Sequence, residues 1–326
     1  VSEFSAVKLH VVTGKGGTGK TTLAAALALA LAESGRQVLL TEVEARQGIA
    51  QLFDTAPLPY EERRVAITRG GGEVYALAVD PEQALMEYLE RFYNLRRAGS
   101  MLKKVGAIDF ATTIAPGVRD VLLSGKVMEA ATRERRGGGR LYDAVVLDAP
   151  PTGRIARFLN VNTEVAALAK VGPVRHQAQS VMALLTSSRT AVHLVCVLEE
   201  MPVQETCDGV AELRETGLPV GAVLINMVRD PLLPATRIEE IAAGQVDSAE
   251  LTRGLKLAGL DATPQTVSAL LGEAGDHAAR VELQTRQRDV LAGLDRPTYD
   301  IPLVPDATNL SGLYAIADRL RDGGMV

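Results

Sequence analysis

Apolar runs bounded by glycine, proline or charge recur along the chain, and their period switches between that of a strand and that of a helix. Residues 7–12 alternate and then run continuously apolar, which predicts a buried strand, and the leucine and alanine run at 22–32 predicts a helix. Gly35 closes that helix, and 37–41 reads as the next strand, completing a strand–helix–strand unit that calls for a parallel sheet with helices on its faces. Residues 74–79 predict a third strand, and Asp80-Pro81 starts a helix with apolar positions at Ala84, Leu85, Tyr88, Leu89 and Phe92. A long, less regular helical stretch at 95–139 mixes Met101, Leu102, Leu122, Leu123, Val127 and Met128 with lysines and arginines; Pro116-Gly117 breaks it and three glycines end it. That length exceeds a plain connection and predicts a helical insertion.

Residues 141–148 predict a sheet strand ending in Asp148, followed by a tight Pro-Pro-Thr-Gly turn and a new helix at Ile155. Residues 191–198 and 220–226 read as strands with a helix at 203–216 between them. Residues 230–259 are weakly periodic and read as loops plus a short helix, 278–294 as a polar-faced helix, 299–304 as a last strand and 309–320 as a closing helix. No internal repeat is apparent. The whole chain, 1–326, is expected to be a single α/β domain with a doubly wound, mostly parallel sheet, carrying helical insertions at 95–139 and 174–190 as a subdomain.

The turn between the first strand and helix carries the chemistry. Gly14-Lys15-Gly16-Gly17-Thr18-Gly19-Lys20-Thr21 fits G-x-x-x-x-G-K-[ST] in the strand–turn–helix setting that this phosphate-binding loop requires. Its glycines let backbone N–H groups close around phosphate oxygens, and the helix N-terminus adds partial positive charge. The Gly16 to Lys20 amides, with the Lys20 ammonium reaching the β- and γ-phosphates, are expected to hold the phosphates of a nucleotide, with Gly14, Thr21 and Thr22 at the same site and the Thr21 hydroxyl as a Mg²⁺ ligand. Asp148, at the tip of an apolar strand, stands where such enzymes hold Mg²⁺. Glu44 follows the second strand, at the end of the sheet where ligands bind.

Composition adds limits. Hydrophobic residues make up 47% and charged residues 23%, ordinary for a globular chain, and the net charge of −5 argues against a broad nucleic-acid surface. Cys196 and Cys207 form no C-x-x-C pair, so neither a disulfide framework nor a zinc clasp is expected. The absence of a signal-like start or a membrane-length apolar run sets a cytoplasmic location as the expectation.

The second, early lysine in Lys15-Gly-Gly-Thr-Gly-Lys-Thr-Thr resembles the deviant Walker A loop of arsenical-pump, targeting, septum-site and partition ATPases and nitrogenase iron protein. Within that class, Asp148-Ala-Pro-Pro-Thr-Gly-Arg-Ile-Ala-Arg-Phe-Leu resembles the arsenical-pump and tail-anchored-protein-targeting ATPases specifically, as do Asp80-Pro81 and Glu87-Tyr88-Leu89. The resemblance implies a Mg²⁺-dependent, ATP-hydrolysing dimer in which Lys15 reaches the partner's nucleotide and Glu44 takes the place of the aspartate that orients water. It implies that Asn226 and Pro305 contact the adenine, and that a helical subdomain opens and closes over a hydrophobic client or membrane-protein partner.

Glu44-Ala-Arg-Gln departs from the family's aspartate-proline-alanine-histidine, which points to slow turnover, and Arg154 replaces a histidine. The zinc cysteine pair and the metalloid cysteines of some members have no counterpart. The alternative is a nucleotide-gated binding module with little or no turnover, half of a heterodimer with a paralogue. The 95–128 and 174–185 stretches are the expected partner surface, against the rival reading of a closed cap with a filled core.

Overall fold

The buried strand β1 (Leu9–Gly14) has parallel neighbours on both sides, β5 (Ala144–Asp148) and β6 (Thr190–Cys196). It is the axis of a computed structural model that describes residues 3–44, 46–93, 116–135, 137–168 and 173–326. Beyond β5 lie β2 (Gln37–Glu42), β4 (Glu73–Ala78) and β3 (Arg63–Ile67); beyond β6 lie β7 (Val220–Val228) and β8 (Thr298–Pro302). Among the described residues these strands form one sheet, parallel throughout except for the antiparallel β3–β4 edge.

The period of two sorts the strand side chains onto opposite faces. Val38 and Leu40 point to one core with Val12, Val146 and Leu224, while Leu39 joins Leu9, Val11, Val145 and Leu147 in the other. The first face is covered by α1 (Lys20–Ala32) and, at the C-terminal end of the chain, by the last helix, Leu310–Asp322. Every residue of α1 from Leu23 to Ala32 is buried, as expected of a helix apolar all round. The short helix α2 (Gly48–Leu52) joins this face. The second face is covered by α4 (Pro116–Thr132), α5 (Thr152–Leu168), α6 (Pro173–Leu185) and α7 (Glu200–Glu215), with α3 (Pro81–Tyr93) packed on α4. The chain thus leaves β1 toward one face and β5 toward the other, which opens a crevice at the carboxyl ends of these two strands.

The remaining helices, α8 (Ala235–Ala242), α9 (Ser248–Leu257) and α10 (Pro264–Ala292), lie between β7 and β8, and α11 is the closing helix Leu310–Asp322. The weakly periodic 230–259 stretch is therefore two helices rather than loops plus a short one. Only Ile238 is buried in α8 and no residue in α9, so the burial that makes helical period legible is missing. The helix expected at 278–294 is the C-terminal part of a 29-residue helix. Edge strand β3 went unpredicted because Arg63-Arg64-Val-Ala-Ile puts charge and exposed side chains where a core strand has apolar ones.

Of the expected insertion, residues 94–115, with Met101 and Leu102, lie outside the described residues. Within the described part, Leu122, Leu123, Val127 and Met128 of α4 and Val181, Leu184 and Leu185 of α6 are buried. All of these but Leu122 belong to the second core rather than to an open surface. Lys126 and Arg133, from the same stretch, are paired: Lys126 with Glu87 at 2.8 Å, Arg133 with Glu62 at 2.7 Å and Glu129 at 2.6 Å. Among the described residues no helix is long and apolar enough to cross a membrane.

Candidate active site

The loop from Gly14 to Lys20 is held by a hydrogen bond within itself and by two distant side chains, Asn226 and Glu205. Thr18 donates through Oγ1 to the Lys15 carbonyl at 2.8 Å, and Asn226 Nδ2, at the end of β7, donates to the Thr18 carbonyl at 2.8 Å. Gly19 sits at φ 89 against the Asn226 amide, a backbone region and a closeness that a side chain would not tolerate. Gly17 is also left-handed, at φ 88, and Gly16 and Gly17 are exposed. Thr22 continues half-buried into α1. Lys20 lies 3.4 Å from the Lys15 carbonyl; burial lowers its pKa, while Asp148 and Glu44 act in the opposite sense.

Thr21 Oγ1 donates to Asp148 Oδ2 at 2.7 Å, joining the two residues expected to hold Mg²⁺. Asp148 is the last residue of β5, and its partner in register on β2 is Glu42, the last residue of that strand. Burial pushes the Asp148 carboxyl up to about 7, and the negative charges of Glu42 and Glu44 push the same way, against the Thr21 hydrogen bond and Lys20. A hydroxyl and a buried carboxyl side by side, with further carboxylates at the same pocket, form a hard-oxygen donor set whose ionisation a cation would favour. The residues fit Mg²⁺.

Glu42 is the residue that motif reading passed over. It is 2% exposed, and its carboxylate accepts from the backbone N–H of Gln47 and, at 3.2 Å, of Ile49. It shapes the turn that carries Glu44 and opens α2, where Gln47 adopts a left-handed φ of 56. The usable signal was its strand-tip position, the same one that marks Asp148. Glu44 lies beside Arg46, at 3.8 Å, and lines one polar pocket with Lys20, Thr21, Glu42, Arg46 and Asp148. Glu44 and Arg46 also wall an adjoining pocket with Arg119, Asp120 and Arg154, where Arg154 Nη2 is 3.9 Å from Asp120 Oδ1 and so links α5 to α4.

Lys15 is placed apart from this group. Its ammonium lies 2.6 Å from Glu205 Oε1 on α7. Asn226 borders a cleft of about 330 Å³ next to the loop. Pro305 is exposed in the turn after β8, two residues beyond Leu303, which lines the same cleft.

A strand, a glycine-rich turn and a helix at the centre of a parallel sheet, with a carboxylate at the tip of the neighbouring strand, define a P-loop NTPase. The model of the anion-transporting ATPases matches residues 7–187, and the chain belongs to that family. It is 48% identical over 324 residues to the ATPase BagA of Mycobacterium tuberculosis, covering 99% of this chain and 95% of that protein. It is 28% identical over 345 residues to the arsenical pump-driving ATPase of Acidiphilium multivorum, across 95% of this chain and 54% of the other. With the ATPase GET3 of Kluyveromyces lactis the identity is 27% over 251 residues, 67% of this chain and 71% of the relative. The resemblance to arsenical-pump and targeting ATPases read from the motifs is borne out at the level of the family.

Proposed function

We propose that the chain is a Mg²⁺-dependent ATPase that works as a dimer across the nucleotide, and that its hydrolytic cycle drives a conformational change rather than a metabolic conversion. The observation that carries this is the Thr21–Asp148 contact of 2.7 Å beside Lys20 at the mouth of the loop. In-line phosphoryl transfer asks the protein for positioning and charge neutralisation. The amides from Gly16 to Lys20 and the Lys20 ammonium hold the phosphate oxygens. Thr21 and Asp148 hold Mg²⁺, which when bound neutralises charge on the phosphates. Glu44 orients the attacking water, and Lys15 of a second protomer neutralises charge that develops on the transferred group. Glutamate in place of aspartate adds a methylene and a rotor, so slow turnover is expected.

The partner protomer is a second copy or a paralogue. The client is a hydrophobic or membrane-protein segment; nucleic acid and zinc have no part. Lys15→Ala tests this reading: MgATP affinity stays within a few-fold, whereas phosphate release and ATP-dependent association fall together. A wild type that hydrolyses fully as a monomer contradicts it. The second reading, a nucleotide-gated module with negligible turnover, draws on Glu44 lying beside Arg46; phosphate release at or below the level of a Lys20→Ala variant would select it.

A further inference from the structure

The cleft of about 330 Å³ beside the loop is of the smallest size usual for a ligand, and one of its walls comes from helix α10, beyond the segment matched by the family model. Leu198, Met227, Val228 and Leu303 give it apolar surfaces, and Arg280 and Gln284, one helical turn apart, face it from α10. Asn226 stands between this cleft and the Thr18 carbonyl, so a molecule whose phosphates lie on the loop would place its nucleoside here.

Anchors on either side of Arg280 and Gln284 fix their position on α10. Toward the C-terminal end of the helix, Arg288 pairs with Asp300 of β8 at 2.7 Å, and Leu291 is fully buried against Cys196, Leu198, Val203 and Ile225. Toward the N-terminal end, His277 Nε2 accepts from the Leu232 N–H at 3.2 Å. Glu282 and Arg286 pair on the same helix at 3.4 Å. Among the described residues, the Arg280 and Gln284 side chains make neither a hydrogen bond nor an ion pair. Among the described residues no aromatic side chain lines the cleft, so the guanidinium planes of Arg280 and Arg229 are the available stacking partners for a base.

We infer that Arg280 and Gln284 of α10 complete the purine subsite, Arg280 stacking on the base and Gln284 hydrogen-bonding its edge. A glutamine amide presents an N–H donor and a carbonyl acceptor side by side, which match the adjacent ring nitrogen and amino group of adenine. The inference rests on the proposed ATPase activity, because it takes the loop as the phosphate subsite.

Calorimetric titration with MgATP and with magnesium tripolyphosphate separates the two subsites, since tripolyphosphate has no base. Wild type should bind both, and MgATP more tightly. The R280A/Q284A double variant should weaken MgATP about tenfold or more while tripolyphosphate stays within about twofold, the latter also reporting an intact fold. Arg280→Lys with Gln284 retained should lose affinity for MgATP as well, because an ammonium does not stack as a guanidinium does. An unchanged MgATP affinity in the double variant, equal loss for both ligands, or a wild type that does not prefer MgATP overturns the inference and leaves the loop as a phosphate site. A wild type that binds neither ligand overturns the inference and the ATPase reading together.

Discussion

The Lys15 ammonium is bound to Glu205 Oε1 at 2.6 Å, within its own chain and 190 residues away. A lysine proposed to serve a second protomer is thus engaged at home. Both side chains are about one-third exposed, at 31% and 35%, and ion pairs so placed are worth about 0–1 kcal/mol. The pair orders the lysine but is weak enough to exchange for a nucleotide phosphate.

Glu205→Gln should therefore favour the associated state, because it removes a competitor for Lys15. The ATP-dependent association constant should rise by up to about fivefold, the equivalent of 1 kcal/mol, with little change in thermal stability. Sedimentation velocity with MgATP checks this; weaker association would make Glu205 part of the dimer contact itself.

Glu42 and Glu44 should separate cleanly. Glu44→Gln should nearly abolish the chemical step in single-turnover hydrolysis, leaving nucleotide affinity within a few-fold and stability within about 0.5 kcal/mol. Glu42→Gln weakens two backbone hydrogen bonds in a buried place and should cost about 1–3 kcal/mol in urea unfolding. Equal turnover of wild type and Glu44→Gln would give the water-positioning role to another group.

Asp148→Asn should break the link between nucleotide and metal. In wild type, adding Mg²⁺ should strengthen or reorganise ATP binding, and chelation should reverse this. In the variant the nucleotide should bind through Lys20 with little response to Mg²⁺, and phosphate release should fall at least about a hundredfold. Equilibrium binding with and without chelator reads the first effect; an undiminished Mg²⁺ response would place the metal elsewhere.

A buried histidine pair should govern stability on the acid side. The Ala222 N–H donates to His193 Nδ1, so the His193 proton sits on Nε2 and is donated to His10 Nδ1 at 3.1 Å. Burial lowers His193 from 6.5 to about 3, and burial with the neighbouring His193 lowers His10 well below 6.5. Both pKa values are lower folded than unfolded, so unfolding takes up protons. The stability this confers is complete above about pH 6.5 and is lost as pH falls below it, at about 1.4 kcal/mol per pH unit for each ring. His193→Gln keeps an acceptor for the Ala222 N–H and should remove about half of that slope, read from urea midpoints between pH 5 and 7.

Sequence reached the parts of this protein where burial is complete and chemistry is local. Val11 and Val12, the Leu23–Ala32 helix and the β5 strand ending in Asp148 are buried, so their period is clean, and the loop is contiguous. It missed β3, whose Arg63 and Arg64 face water, and the extent of α10, where Val267, Ala278 and Leu291 alone are buried in 29 residues. The Glu42–Asp148 register and the Lys15–Glu205 pair depend on strand order and on helix placement. Neither is written in any single stretch of the chain.

Mixing two inactive variants tests most directly whether Lys15 acts across a dimer. Lys15→Ala retains the nucleotide site but lacks the lysine for its partner, while Lys20→Ala lacks the nucleotide site but still carries Lys15. Phosphate release from MgATP should be near background for each alone and should reappear when they are combined, rising with total protein concentration. A mixture that stays as inactive as its components while wild type hydrolyses, or a Lys15→Ala chain that hydrolyses like wild type, would contradict the account.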